Sequence, residues 1–334
     1  MAFRTTFHTT FFLSLSLTIL VATFLMTLRG LANDPGTALQ DQNEAIRTEP
    51  LKQNADSDGL TLATADRKPL TAIDLSGFGS GISHWRDLRD DRRFITAEPD
   101  QPSWRPDQVY EIAANILLFQ RENGGWPKDY DMTAVLTDTQ RQAVEATKAD
   151  SDTSYDNGNI HSQIEYLAKA YAQSGESTWR QACERGLDFA LRSQYPNGGF
   201  PQRYPKHSSY HAHITFNDGV MIGILDMLQD VVERKPHFAW LDEARREQTG
   251  DAIRLAIDCM LRCQIVVDGT PTGWCQQHDE QTFEARPART FELASICPQE
   301  TSDIIRFLMR QPESDATMLA ATDAAVAWLK EVRL

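Results

Sequence analysis

The sequence predicts a mainly α fold: an (α/α) toroid-like barrel of about three helical-hairpin repeats with long loops at one mouth. Three observations carry this. Apolar residues recur at spacings of three and four through long segments such as "PDQVYEIAANILLFQRE", "STWRQACERGLDFALRSQ" and "LDEARREQTGDAIRLAIDCMLRCQ", which is the periodicity of a one-faced helix. A glycine-rich aromatic turn returns at a constant interval, Trp126, Phe200 and Trp274 each standing 74 residues apart. After each turn comes a hydroxyl, an aromatic ring and then an acid or amide: Ser154-Tyr155-Asp156-Asn157, Thr215-Phe216-Asn217-Asp218 and Thr290-Phe291-Glu292-Leu293.

In chain order, Arg4 and His8 precede the apolar run Phe11 to Leu28, and small residues follow in "RGLAND". This is the layout of a secretory signal over residues 1–32, cut after Ala32, which implies a secreted or periplasmic protein. An apolar run of ~18 residues is also at the lower limit for spanning a bilayer, so an uncleaved anchor is the alternative. Residues 33–75 are polar without a sustained period and are expected to form a disordered linker. Residues 76–334 then form one domain. The remaining helical segments are "NIHSQIEYLAKAYAQSG" and "GVMIGILDMLQDVVERK", and Gln120, Gln194 and Gln264 each close a helix just before a turn. A period of this length holds two helices and two loops. Repeats closed into a ring bring the segments after the turns to one mouth.

The net charge of −14 argues against nucleic acid, whose phosphates need a basic face. An anionic substrate would need local arginines or a bound cation to reverse the field. The five cysteines, Cys183, Cys259, Cys263, Cys275 and Cys297, have no zinc-motif spacing. They read as buried apolar thiols, and their odd number leaves at least one unpaired within the chain.

The expected mouth collects Lys128, Asp129 and Asp131 after the first turn, then Asp156 and Asn157. Arg203, Lys206, His207, His211, His213, Thr215, Asn217 and Asp218 follow the second turn, and His278, Asp279, Arg286, Arg289 and Glu292 the third. Carboxylate and amide oxygens from two loops suit calcium, which takes irregular oxygen shells; Asp156 and Asp218, with Asn157 and Asn217 beside them, are the candidates. The same residues could instead be helix N-caps. Zinc held by His207, His211 and His213 is a weaker alternative. Trp126 and Phe200 could stack on a sugar or pack in the core.

Taken in order, "NGGWPKDYDM", "DNGNIHSQIEYLAKAY", "SQYPNGGFPQRYP", "HITFNDGVM", "GWCQQHDEQTFEARPARTFELASI" and "IIRFLM" resemble the pectate lyases of polysaccharide lyase family 10, from about Trp104 to the C-terminus. The resemblance implies a largely helical, toroid-like catalytic domain over 76–334. It also implies calcium-assisted β-elimination of polygalacturonate. The family's arginine base falls on Arg289 in "PARTFE", for which an ion pair with Glu292 is the plain alternative. Lys128, Arg203, His211 and Thr215 are the expected substrate contacts. Ala212 stands where relatives often carry an acid. The resemblance further implies substrate-gripping arginines beyond the last residue, Leu334. The protein is expected to be a monomer. A hydrolase using Asp156 and Asp218, or a non-catalytic pectin-binding protein, are the other readings.

Overall fold

The computed structural model describes residues 67–88, 90–205, 209–312 and 315–332. The expected signal, the linker up to residue 66, and Lys206 and His207 lie outside the described residues. The far end of the linker is described, and it corrects the expected boundary, because the compact domain begins at Arg67. Lys68 Nζ donates to the Gln173 carbonyl at 2.7 Å. Thr71 exchanges backbone bonds with the Gln173 side chain at 2.7 and 3.1 Å. Ile73 is buried. An extended strap anchored by single residues leaves no period in the sequence.

The helices are α1 (Gly79–Asp87), α2 (Val109–Phe119), α3 (Asp138–Glu145), α4 (His161–Ser174), α5 (Ser177–Ser193), α6 (Val220–Val232), α7 (Glu243–Cys263), α8 (Pro298–Met309) and α9 (Ala316–Val332). Local chemistry sets their ends. Thr137 and Gln140 form a reciprocal capping box at the start of α3. Asp242 accepts the Arg245 N–H to open α7. Gly175 takes a left-handed conformation after α4.

Hairpins form from α4 with α5, α6 with α7, and α8 with α9. Along one row α4 packs on α6 and α6 on α8. Along the other, α2, α5, α7 and α9 pack in succession. Helices α1, α2 and α3 precede these pairs among the described residues, and the fold is mainly α.

The repeat is visible as hydrogen bonding. Gln120 Nε2 donates to the Gly124 and Ala182 carbonyls, both at 2.9 Å. Gln194 Nε2 donates to Gly198 at 3.0 Å and Ala252 at 2.8 Å, and Gln264 Nε2 to Thr272 at 2.9 Å and Ala321 at 2.8 Å. Each glutamine thus closes its own helix and ties the turn to the next helix of the same row. That satisfies buried carbonyls which would otherwise go without donors. The turns need glycine: Gly198 has φ +92°, and a Cβ there would overlap the Leu255 carbonyl. Trp126, Phe200 and Trp274 are fully buried. The two indoles donate to the Ile116 and Met260 carbonyls at 2.8 and 2.7 Å. They are core, so of the two readings open for Trp126 and Phe200 the structure contains packing and not a ring free to stack on a sugar.

At one end of the hairpins the loops are stitched together. Pro127 bridges Thr153, Ser154 bridges Arg203, and Pro201 bridges Ile214. Strand β1 (Ile214–Thr215) pairs antiparallel with β4 (Gln277–His278), while β2 (Val266–Val267) and β3 (Thr270–Pro271) form a small hairpin. This stitching positions the site. Among the described residues no helix is long and apolar enough to cross a membrane.

Candidate active site

A cleft of about 670 Å³ opens where these loops meet. Its walls carry Lys128, Asp129, Asp156, Asn157, Arg203, His211, Asn217, Asp218, Arg289 and Glu292. Each repeat contributes, as the sequence pattern required.

The polar pairs after the turns are not helix caps. Asp156 and Asn157 lie in a 3₁₀ turn (Asp156–Gly158), and Asn217 and Asp218 in another (Asn217–Gly219). Helices α4 and α6 start after them, and neither start takes a side-chain cap from these residues. Asn157 (φ +59°) and Asp218 (φ +52°) occupy the left-handed region at equivalent positions of the two repeats. Strain of that kind persists where the surrounding structure holds it, often at functional sites. The third echo breaks the pattern. Tyr155 and Phe216 are buried, but Phe291 is 72% exposed, and α8 begins only at Pro298. Glu292 still reaches the cleft.

Lys128 is the electrostatic centre. Its ammonium ion-pairs with Asp156 Oδ2 and lies 3.4 Å from Asp129 Oδ2. Burial alone would raise the Asp156 carboxyl, but the Lys128 ammonium outweighs it and holds the carboxyl below its usual range. Asp156 Oδ1 is buried and meets no hydrogen-bond donor among the described residues. The Asp218 carboxyl adjoins it. Packing around that carboxyl, and then the negative charge of Asp156, raise it to about 6. Asn157 Nδ2 donates to Asp129 Oδ1 at 3.1 Å, leaving its amide oxygen toward the site. Asn217 Nδ2 donates to Asp218 Oδ2 at 2.8 Å, but its oxygen accepts from Gln276 Nε2 at 3.0 Å. Of the four expected calcium residues, Asn217 has its single side-chain oxygen already engaged, while Asp156 and Asp218 each have one of two engaged; Asp129 is an additional carboxylate the expectation did not include. Asp129 and Asp156 flank one ammonium with the raised Asp218 beside Asp156; these oxygens are of the kind a hard cation takes, though they are not gathered as closely as those of His213, Asp279 and Glu280.

Arg289 lines the cleft, but Glu292 holds it in a fork: Nε donates to Oε2 at 2.9 Å, Nη2 to Oε1, and the Arg289 backbone N–H to Oε2 at 3.0 Å. That pairing drives the guanidinium above its already high range. The ion pair foreseen as the alternative is what the structure contains. Arg203 Nε is buried and has no hydrogen-bond partner among the described residues. His211 Nδ1 meets Gln202 Oε1 in the cleft wall.

Thr215 is corrected. It is fully buried in β1, its hydroxyl donates to the His213 carbonyl at 2.9 Å, and it does not line the cleft. Both it and the adjacent Phe216 are buried, so this stretch shows no inward and outward alternation. Asp131 is likewise structural, accepting from Arg86 Nε at 2.9 Å. His278 is buried and its imidazole is depressed to about 4 by that burial. The zinc alternative fails on its described members: His211 faces Gln202, whereas His213 pairs with Glu280 at 3.0 Å. His213, Asp279 and Glu280 do bring potential ligand atoms within 4.8 Å. Asp279, however, is occupied by Arg286 at 2.7 Å and by the Gln281 and Thr282 N–H groups. The site residues missed in the sequence are Arg92, Arg93 and Gln202. "RDDRR" was visible as a charge run, but lies upstream of the repeats, where nothing indicated that it folds back to the mouth.

A family model described as pectic acid lyase matches residues 120–334. Two solved structures resemble the chain. One is an aspartate-to-alanine mutant of a family 10 polysaccharide lyase from Cellvibrio cellulosa in complex with trigalacturonic acid, at 28% identity and TM-score 0.58, covering 66% of this chain and 67% of that one. The other is a family 10 polysaccharide lyase from the same organism, at 29% identity and TM-score 0.58, covering 66% of each chain. The chain thus spans about two thirds of the length of these solved relatives. No curated protein matched it.

Proposed function

The chain belongs to the pectic acid lyase family, by that membership a polysaccharide lyase, and we propose that it cleaves polygalacturonate by calcium-assisted β-elimination. The reaction removes the proton on C5 of a galacturonate, alpha to its carboxylate, and expels the C4 oxygen. The negative carboxylate makes that proton weakly acidic, so the site must offset negative charge. The observation that carries the proposal is the adjoining carboxylates of Asp156, whose Oδ1 meets no donor among the described residues, and the raised Asp218, set among the cleft cations Lys128, Arg203 and Arg289.

Asp156, Asp218, Asp129 and the Asn157 amide oxygen are the residues that would hold calcium. When bound there, the ion supplies neutralisation of the substrate carboxylate and of the enolate-like charge developing on it. Arg203, whose buried Nε lacks a partner among the described residues, binds a substrate carboxylate by a charge-assisted bond, with Lys128 and His211 alongside. Arg289 is the proton acceptor in this reading. Glu292 opposes that role by favouring the charged guanidinium, so turnover requires alkaline conditions and release of the fork. Phe291, exposed beside Arg289, is the ring available to a sugar face in place of the buried Trp126 and Phe200. Closure of the hairpin rows into a toroid, and export to a secreted or periplasmic location, belong to the same reading. The first is supported by the orderly succession of rows, the second by residues 1–32 of the sequence.

Asp156 and Asp218 adjoin one another, closer than the ~5 Å or more that separates the acid pair of a glycosidase, which disfavours the hydrolase reading. Calcium-dependent pectate binding without turnover is favoured by one observation, the Glu292 fork that keeps Arg289 charged. The deciding experiment follows ultraviolet absorbance of the new C4=C5 bond with polygalacturonate at alkaline pH, with calcium and then with chelator. A calcium-dependent rise supports elimination. Binding of the polymer without a rise overturns it for the binding reading, and saturated products overturn it for hydrolysis.

A further inference from the structure

Cys275 and Cys297 stand at the two ends of the segment 276–296, which carries β4, the Arg289–Glu292 fork and the exposed Phe291. Their backbones converge: the Cys297 N–H donates to the carbonyl of Trp274, next to Cys275, at 2.8 Å. The two thiols are near enough to shift each other's ionisation. Cys275 is buried and Cys297 half-buried. Cys297 also contacts the Ser295 carbonyl at 3.5 Å, and the Cys275 thiol the Arg286 carbonyl at 3.7 Å. Between these anchors, residues 289–291 and 293–295 are exposed.

We infer that Cys275 and Cys297 form a disulfide that closes the base of the Arg289 loop when the protein meets a low-molecular-weight disulfide. The other cysteines do not compete. Cys183, Cys259 and Cys263 are buried on helices, and Cys259 and Cys263 are one turn apart on α7. The chemistry balances as thiol–disulfide exchange. The half-buried Cys297 attacks one sulfur of the external disulfide, passing its proton to the neighbouring Cys275 thiolate. This forms a mixed disulfide and releases one equivalent of small thiol. Cys275 then attacks Cys297 Sγ, forming the Cys275–Cys297 bond and expelling the second equivalent. The protein gives up two electrons and two protons, which leave on the two small thiols. Each thiol shifts the other, lowering Cys275 and raising Cys297, so Cys275 takes up the Cys297 proton in the first step and is the attacking thiolate in the second.

The inference stands independently of the lyase reading, and its test uses no substrate. The full chain, freed of reductant, is incubated with oxidised glutathione. Its intact mass and its non-reducing peptide map are then measured, with thermal melts of the oxidised and reduced forms. The expected result is loss of the mass of two hydrogens, a crosslink joining the Cys275 and Cys297 peptides, and a melting midpoint raised by about 5 °C in the oxidised form. The Cys297→Ser variant should show neither crosslink nor shift. A stable glutathione adduct on Cys297 without ring closure, a crosslink elsewhere, or all thiols remaining free would each overturn it. So would the same midpoint shift in oxidised Cys297→Ser.

Discussion

Replacing Glu292 by Gln tests whether Arg289 titrates in the reaction. Glu292 grips the guanidinium through Nε, Nη2 and the Arg289 backbone N–H, and this raises the pKa of Arg289. Removing the charge lowers that pKa, so at any alkaline pH more of Arg289 is neutral and able to accept a proton. The side chain of Arg289 is 55% exposed, so solvent screens most of the pair. Exposed ion pairs are worth ~0.2–1 kcal/mol, and a forked geometry places this one near ~1 kcal/mol. At 1.36 kcal/mol per pH unit that is a shift of about 0.7 units, or about fivefold in rate on the rising limb. The assay is kcat/KM on polygalacturonate across the alkaline range at saturating calcium. The expected outcome is the rising limb of Glu292→Gln displaced to lower pH with the same plateau. An unmoved limb, or a uniform loss at every pH, would refute the argument that this pair tunes a titrating Arg289.

Arg289→Ala should lose turnover by about a thousandfold while retaining its melting curve and calcium-dependent polymer binding; full activity would remove Arg289 from the chemistry. Chelation should abolish elimination and calcium restore it, with Asp156→Asn requiring about tenfold more calcium for half-maximal rate; an unchanged calcium response would place the ion elsewhere. Arg203→Ala should raise KM about tenfold and leave kcat nearly unchanged, as expected for loss of one charge-assisted bond; steady-state kinetics decide it. Gln194→Ala strips the donor from the Gly198 and Ala252 carbonyls. It should cost about 1–3 kcal/mol, read as a melting midpoint lowered by about 5 °C; a change under a degree would show that the tether is not structural.

Much of the site was legible because it repeats. The 74-residue interval between Trp126, Phe200 and Trp274 located the loops, and the residues after them reach one cleft. The errors arose where one pattern serves two purposes. Thr215 shares its place in the echo with Ser154, and both are buried. Thr290 shares it too, yet lies on an exposed loop. Trp126 and Phe200 sit beside the cations of the mouth in sequence, but their rings turn inward, since a large apolar side chain gains most by leaving water. Residues 67–75 and the Arg92–Arg93 pair were beyond reach, because an irregular strap has no period to read.

The sequence by itself determined the mainly α class, the repeat interval, the glutamine-closed helices, the family and most residues of the mouth, because periodicity and turn chemistry are local properties of the chain. Only the tertiary structure decided which charges meet: that Lys128 neutralises Asp156 while Asp218 is left against it, that Glu292 and not a substrate holds Arg289, and that Arg203 keeps a donor unmet among the described residues. Those facts depend on distances between segments far apart in the chain. Electrostatic interaction follows distance and burial rather than order along the chain, so residue spacing alone could not supply them.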